Sequence, residues 1–385
     1  MDFALSGQQR ALVEAVRSFL QRDCPRSVVR ELDEQEGFPF KHWATIAKIG
    51  LLGAPFPPEY GGSGGTIMDE VLITEELSRG FTALAFAYLV TVSFGGLSIY
   101  KFGTEEQRRH HLPKLSRGTR YCLALTEPGG GTDILGSLQT SARRDGDDYV
   151  LNGQKVYCTG AHVSDHIIVL ARTDAAPARR SEGFTMFLVD NPSPGLEVRP
   201  MKKLGLKAVA SCEVWMNDVV VPASNIVGEL NQGWYHIIET LNNERIEIAA
   251  LCLGIGQAAL DDALAYAKQR QAFGKSIGQF QAIQHQLADS YVELELARMM
   301  VYKAASLQAS GESSAVEAAM AKLVASEAAM RGADRGMEIM AGSAYMMETD
   351  MQRYWRDARL FTFAPITNEM VRNFVGQSLG LPKSY

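Results

Sequence analysis

The sequence predicts an α+β protein: an N-terminal helical domain, a middle antiparallel β domain and a C-terminal helix bundle. Three observations carry this. Apolar residues recur at helical spacing through the first third of the chain, about 100 residues of short β-rich runs follow, and after Gly233 long helical patterns return. With 385 residues the chain is long enough for two or three domains. The changes of pattern divide it at 1–121, 122–231 and 232–385.

Residues 8–20 repeat Leu12, Val16 and Phe19–Leu20 at helical spacing, with Ser6 as the N-cap. Residues 41–52 and 68–80 continue the helical pattern. Between them, Pro55-Phe56-Pro57-Pro58-Glu59-Tyr60-Gly61-Gly62-Ser63-Gly64-Gly65 reads as a loop. It follows no strand, so its glycines are no dinucleotide fingerprint. Tyr149 to Tyr157 reads as a hairpin turning at Asn152-Gly153. The runs 167–170, 184–189 and 196–198 are β-rich, and Cys212 to Met216 alternates as on a half-buried strand, which predicts a barrel or sandwich. Ile248, Leu251, Cys252, Ile255 and Ala259 form one apolar helical stripe. Helical patterns at 280–309 and 314–340 are separated by a turn at Ser310-Gly311-Glu312.

Composition excludes several classes. Hydrophobic residues make up 46% and charged residues 21%, with a net charge of −6, an ordinary globular balance without the basic face that nucleic-acid binding favours. Cys24, Cys122, Cys158, Cys212 and Cys252 lie far apart with no CxxC pair, which argues against a disulfide framework or zinc ribbon and fits a reducing compartment. The N-terminus lacks a basic region followed by an apolar run. The apolar stretch near 81–97 is broken by Thr, Ser and paired Gly, short of the roughly 20 residues of a membrane helix. These features predict a cytoplasmic protein with no membrane span. His110-His111 has no metal-ligating partners at suitable spacing, so no metal is expected, and no Gly-x-Ser-x-Gly elbow appears. Arg179-Arg180 reads as a solvated turn.

The sharpest chemical segment is Leu123-Ala124-Leu125-Thr126-Glu127-Pro128-Gly129-Gly130-Gly131-Thr132-Asp133, whose glycine N–H groups can face a phosphate or a flavin. It resembles the flavin-binding signature of the acyl-CoA dehydrogenase family. So do Lys155-Val156-Tyr157-Cys158-Thr159, Gln269-Arg270-Gln271-Ala272-Phe273-Gly274-Lys275 and Phe280-Gln281-Ala282-Ile283-Gln284. The Glu59-Tyr60-Gly61-Gly62 loop, Asn152-Gly153-Gln154-Lys155 and Arg356-Asp357-Ala358 extend the resemblance over essentially the whole chain.

The resemblance implies FAD as cofactor. Leu125 and Thr126 would line the isoalloxazine ring, Gly131 and Thr132 would hold the diphosphate or the CoA, Tyr157 would wall the flavin and Thr159 would donate towards it. Arg270 would bind the FAD pyrophosphate of a neighbouring subunit, a task suited to a guanidinium. Phe273, Gln281, Gly342, Thr367 and Asn368 complete the implied cofactor set, and Thr132, Asn242 and Arg245 the implied substrate set. Arg270 in that role implies an oligomer, and the resemblance implies a homotetramer, or at least a homodimer. The implied activity is α,β-dehydrogenation of an acyl-CoA thioester to a 2,3-enoyl-CoA in fatty acid and lipid metabolism, with electrons passed to an electron-transferring flavoprotein.

Two departures from the family pattern bear on the chemistry. Glu338-Ile339-Met340-Ala341-Gly342 stands where a glutamine-and-glycine turn contacts FAD, and a carboxylate there would repel a pyrophosphate. The base that many members place nine residues after Arg356 is here Pro365, which takes no proton. In the isovaleryl-CoA and long-chain branch a Glu-Arg pair lies 26 residues before the FAD-binding Arg, and Glu244-Arg245 stands at that place. Glu244 is therefore the expected base, with Arg245 holding the carboxylate or the CoA end. Pro365 also removes an N–H that would polarise the thioester carbonyl. Ile366 N–H in its place, a different thioester pose, or different chemistry all remain open. Two rival functions are a flavin-dependent monooxygenase or oxidase of the same fold, and a non-catalytic subunit of a hetero-oligomeric dehydrogenase.

Overall fold

A computed structural model describes residues 4–383. The chain opens with α1 (Gly7–Asp23), α2 (Arg26–Glu34), α3 (Phe40–Lys48), α4 (Ile67–Leu89), α5 (Ser98–Phe102) and α6 (Glu105–Ser116), with a π-helical stretch Val90–Leu97 joining α4 to α5. Ser6 caps α1: its Oγ accepts from Gln9 N–H at 3.1 Å while Gln9 Oε1 accepts from Ser6 N–H at 2.9 Å. The helix buries Val13, Val16 and Phe19. The 55–65 segment is the expected loop. A Cβ on Gly62 would lie 2.0 Å from the Phe56 carbonyl oxygen, so this glycine is there for backbone contact. α2 carries almost no apolar period, burying only Val29 and Asp33.

The middle region comprises β1 (Tyr121–Ala124), a short α7 (Ile134–Ser137), β2 (Ser141–Asp145), β3 (Asp148–Thr159), β4 (His166–Arg172), β5 (Phe184–Asp190), β6 (Leu196–Met201), β7 (Ser211–Pro222) and β8 (Ile226–Val227). The strand order is β6-β7-β3-β2-β4-β5-β8, with β1 parallel to β4. The β2–β4 link is the single pair Ser141–Arg172. Two half-sheets therefore face each other across a core that includes Leu151, Cys158, Cys212 and Val214 from one side and Cys122, Ile167 and Val189 from the other. Tyr149 meets Phe187 across it at 5.1 Å. The hairpin expected at Asn152-Gly153 is not formed. The turn lies earlier, at Gly146 (φ 61°), and β3 runs unbroken through Gly153 as a bulge against β7. Strand pairing overrides the local turn preference because Asn152 is occupied: its Nδ2 donates to Asp218 Oδ1 and its Oδ1 accepts from Asp218 N–H.

The chain then forms α8 (Gly233–Gln269), the small β9 (Gln271–Ala272) and β10 (Lys275–Ser276) ribbon, α9 (Gln281–Ala309), α10 (Ala315–Met340), α11 (Gly342–Tyr345), α12 (Met351–Leu360) and α13 (Asn368–Ser378). N- and C-terminal helices share one continuous core. At its centre α4 crosses α8: a Cβ on Gly254 would lie 2.4 Å from the Glu75 carbonyl oxygen, and Ser78 Oγ donates to Leu251 O at 2.7 Å. The Arg356-Asp357 motif clamps α12 to both other regions. Arg356 pairs with Asp33 at 2.7 Å and donates to Leu204 O, while Asp357 accepts from Leu206 N–H at 2.6 Å. Two helical runs, Ile67–Phe102 and Gly233–Gln269, are long and apolar enough to cross a membrane, but 89% and 72% of their most apolar windows are buried inside the protein, as core helices are.

Replacing Gly254 by Ala forces the α4–α8 crossing apart and should destabilise the chain by about 2–3 kcal/mol in denaturant unfolding. Gly332→Ala on α10, where a Cβ meets nothing within 4 Å, should instead be neutral or stabilise by up to about 1 kcal/mol. Equal effects of the two substitutions would contradict the packing described.

Candidate active site

The β-domain side of the site is built on a buried ion pair. Lys155 on β3 donates from Nζ to Glu127 Oε1 at 2.8 Å and to Leu125 O at 3.1 Å, and Val156 N–H donates to Thr126 O at 2.8 Å. These bonds lay Leu125–Thr126 beside Tyr157–Thr159. The Glu127 carboxylate also accepts from Gln139 N–H and Thr140 N–H at 2.7 and 2.9 Å. Burial alone would raise its pKa, but Lys155 and these donors overcome it and hold it below the usual carboxylate range. The pair thus closes the base of the loop that carries Gly131 and Thr132, both exposed. A bulge next to Lys155 puts Tyr157 at φ 59° and turns its ring outward, 65% exposed. Asp133 ties the same loop to Arg180 at 3.0 Å, so the Arg179-Arg180 turn is anchored there.

The acid side lies on α8. Glu244 is buried at 4% exposure, and nothing among the described residues donates a hydrogen bond to its carboxyl. Burial pushes that carboxyl up to about 8, against the opposing pull of Arg245 and Lys322. Arg245 makes no ion pair with Glu244; its Nη1 donates to Asn242 Oδ1 at 2.8 Å. One turn along the same helix face, Glu247 is fully buried, accepts from Ser93 and feels the charge of Glu70 on α4. Burial raises both carboxyls, Glu70 to about 7 and Glu247 well above the usual carboxylate range. Lys322 on α10, fully buried, donates from Nζ to Ile366 O at 2.7 Å and to Asn368 Oδ1 at 2.8 Å. Sequence reasoning missed Glu70, Glu247 and Lys322 as site residues. Their signal was a charge on an otherwise apolar helical stripe, as Lys322 among Ala318, Ala321 and Ala325.

The remaining expected cofactor residues lie on the other helical segments. Arg270, at the end of α8, is exposed and has no acid partner among the described residues, and Phe273 is 94% exposed. Gln281 is exposed at the start of α9. No hydrogen bond, ion pair or ring contact among the described residues joins these three to the Leu125–Thr159 face. Glu338 is exposed, with its carboxylate near Gln286 Nε2 at 3.4 Å. Gly342 follows Ala341, which sits at φ 49°, ψ −127°, a conformation that favours glycine. Thr367 caps α13, accepting from Met370 N–H at 3.2 Å. Asn368 points inward, its amide engaged by Lys322 and Ser326, so the structure does not bring that side chain to the surface with the others. His111 is partly buried against Tyr121, and no described group of three or more His, Cys, Asp or Glu could hold a metal.

This arrangement fits FAD: an unpaired guanidinium for a pyrophosphate, uncovered aromatic faces at Tyr157 and Phe273, and polar groups along Leu125–Thr159. Three family models match: acyl-CoA dehydrogenase N-terminal domain over residues 6–119, middle domain over 122–219 and C-terminal domain over 231–380. The chain belongs to the acyl-CoA dehydrogenase family. It is 39% identical over 384 residues to a probable acyl-CoA dehydrogenase, YngJ, of Bacillus subtilis, covering 98% of this chain and 100% of the relative. It is 35% identical to mitochondrial isovaleryl-CoA dehydrogenase of Pongo abelii, covering 97% of this chain and 89% of the relative. Butyryl-CoA dehydrogenase from Megasphaera elsdenii superposes with a TM-score of 0.95 at 35% identity, covering 99% of this chain and all of the other.

Lys155→Met leaves Glu127 buried without its cation. It should cost about 3–5 kcal/mol in thermal or denaturant unfolding and release the 128–138 loop to proteolysis. Wild-type stability in that variant would show that the pair does not hold the loop.

Proposed function

We propose that this chain dehydrogenates acyl-CoA thioesters with FAD, and that Glu244 removes the α-proton. The observation that carries the reading is the pairing of a buried, unpartnered carboxyl at Glu244 with a proline at 365. A carboxyl out of water is a stronger base than an exposed one, and proton removal from a weakly acidic thioester needs that strength. FAD, when bound against Leu125, Thr126, Tyr157 and Thr159, would supply the acceptor for hydride leaving the β-carbon. The α C–H electron pair becomes the new C=C bond, the proton stays on Glu244, and the product is the 2,3-enoyl-CoA. Electrons pass on to an electron-transferring flavoprotein.

Leu125, Thr126, Tyr157 and Thr159 hold the isoalloxazine, and Gly131 and Thr132 the diphosphate or the CoA. Arg245, bonded to Asn242 rather than to Glu244, is free to hold the CoA end. Arg270, Phe273, Gln281 and Gly342 serve the FAD of a neighbouring copy, which supports a homotetramer. The outer face of α9 presents Tyr291, Val292, Leu296 and Met299, each more than half exposed, as a surface such copies would cover. Thr367 and Asn368 act through the turn they build. We place the protein in the cytoplasm, supported by five buried free cysteines, and in fatty acid metabolism. The divisions at 121/122 and 231/232 are proposed as domain boundaries. The butyryl and isovaleryl groups in the relatives' names make short and branched acyl-CoAs the substrates to try first.

An anaerobic titration of the holoenzyme with butyryl- and isovaleryl-CoA, extended to longer chains, should bleach the flavin absorbance. No bleaching by any acyl-CoA would overturn the activity. Arg270→Ala should lower FAD content and loosen the oligomer together. Full FAD and an unchanged oligomer in that variant would overturn the placement of Arg270.

A further inference from the structure

Proton removal by Glu244 leaves a second group of buried acids beside it without a task. α4 and α8 meet where Gly254 lies against Glu75 and Ser78, and beyond that contact Arg79 on α4 pairs with Asp261 on α8 at 2.6 Å. The two helices therefore run in the same sense. About two turns, or about 7 residues, before the contact stand Glu70 on α4 and Glu247 on α8, so the helical register sets the two acids opposite each other. Glu70 is 2% exposed and Glu247 is fully buried. Lys101, whose charge Glu70 feels, pairs instead with Glu239 at 3.4 Å. Glu247 Oε2 accepts from Ser93 Oγ, while Glu247 Oε1 and Glu70 Oε2 have no partner among the described residues.

A residue of another kind joins them. α4 breaks at Phe81 (φ −151°, ψ 84°), and the limb beyond the break carries Tyr88 and, about one π-helical turn later, Ser93. Ser93 bonds to Glu247, and Tyr88 feels the charge of both Glu70 and Glu247. Tyr88 is fully buried, and its hydroxyl also has no partner among the described residues. Buried polar atoms are nearly always paired, so unpaired oxygens from three helical limbs in one place mark a group the chain does not itself supply. Glu244 lies one turn before Glu247 on the same face of α8, about 5–6 Å away. An acyl chain with its α-carbon at Glu244 has its distal carbons within reach of the cluster.

Resting on the dehydrogenase reading above, we propose that Glu70, Glu247 and Tyr88 form a subsite for an ammonium group at the end of the acyl chain, so that the preferred substrate is an ω-aminoacyl-CoA. The two carboxyls and the tyrosine oxygen accept the three N–H bonds of the ammonium. Burial raises both carboxyls, Glu70 to about 7, so binding of the cation releases a proton to solvent. An alkyl chain of the same length leaves the acids unpaired, and a site built to hydrogen-bond a substrate group rejects the analogue that lacks it.

The test compares chains of equal length on the holoenzyme. The probes are ω-aminopentanoyl- and ω-aminohexanoyl-CoA against hexanoyl- and heptanoyl-CoA, in which a methyl replaces the ammonium, with ω-hydroxyhexanoyl-CoA as the neutral donor. Stopped-flow flavin reduction in the wild type should favour an amine over its methyl counterpart by at least about 10²-fold in kcat/KM. Glu70→Gln and Glu247→Gln, checked for retained FAD and cooperative unfolding, should each lose most of that ratio. Equal or better reduction by both methyl counterparts in the wild type overturns the subsite, and no variant is needed to see it. A hydroxyl chain that matches or exceeds the amine overturns the cation. A ratio that survives both substitutions overturns the assignment to these acids. Failure of the activity reading is a separate result, because there no acyl-CoA reduces the flavin. The same pairs are then compared by calorimetric binding, where tighter binding of the amine supports the subsite and equal affinity overturns it.

Discussion

Where α4 crosses α8, the two backbones come so close that only glycine fits at 254, and Ser78 bonds directly to a main-chain carbonyl of the facing helix. This contact joins the first helical segment to the last in one core. Carboxyls buried in that core are desolvated. Glu244 and Glu247 enter from α8 and Glu70 from α4. Such groups are costly to bury, and proteins tolerate them where their chemistry is used.

The two sides of the site solve the problem of buried charge differently. On the β-domain side, Glu127 is matched by Lys155 and by two backbone donors, and the result is a fixed loop and a fixed strand edge. On the α8 side, burial holds Glu70 and Glu247 above the usual carboxylate range, and Glu244 has no hydrogen-bond donor among the described residues. Full pairing gives rigidity, and absence of pairing gives basicity. A site that must hold a large planar cofactor and also remove a weakly acidic proton needs one of each.

Much of the fold was readable from residue order alone. Helical and alternating periods marked the α–β–α layout, and Ser6, Gly311 and the apolar stripe of α8 fell where periodicity and turn chemistry put them. Period arguments failed where pairing at a distance decides. Gly153 looks like a turn but is a bulge because β7 pairs through it. α2 has too few apolar residues to announce itself, and its Asp33 is explained only by Arg356, far along the chain. In the site, Glu244 is proposed from its spacing to Arg270. Lys322, Glu247 and Glu70 are not, because a charge inside an apolar stripe acquires its meaning only from the segment packed against it. Asn368 is expected in the cofactor set from its place in a motif, while its side chain is engaged by Lys322 and Ser326.

The central claim is that Glu244, pushed up to about 8 by burial, is the base. Stopped-flow flavin reduction across pH, in the wild type and in Glu244→Gln, tests it most directly. The ionised carboxyl is the active form, so the second-order rate of reduction in the wild type should rise with pH and level off above about 8. Glu244→Gln should keep FAD, bind the acyl-CoA and reduce the flavin about 10²–10⁴-fold more slowly, without that pH limb. Reduction of Glu244→Gln at a rate near that of the wild type, with the same rise towards pH 8, would contradict the account.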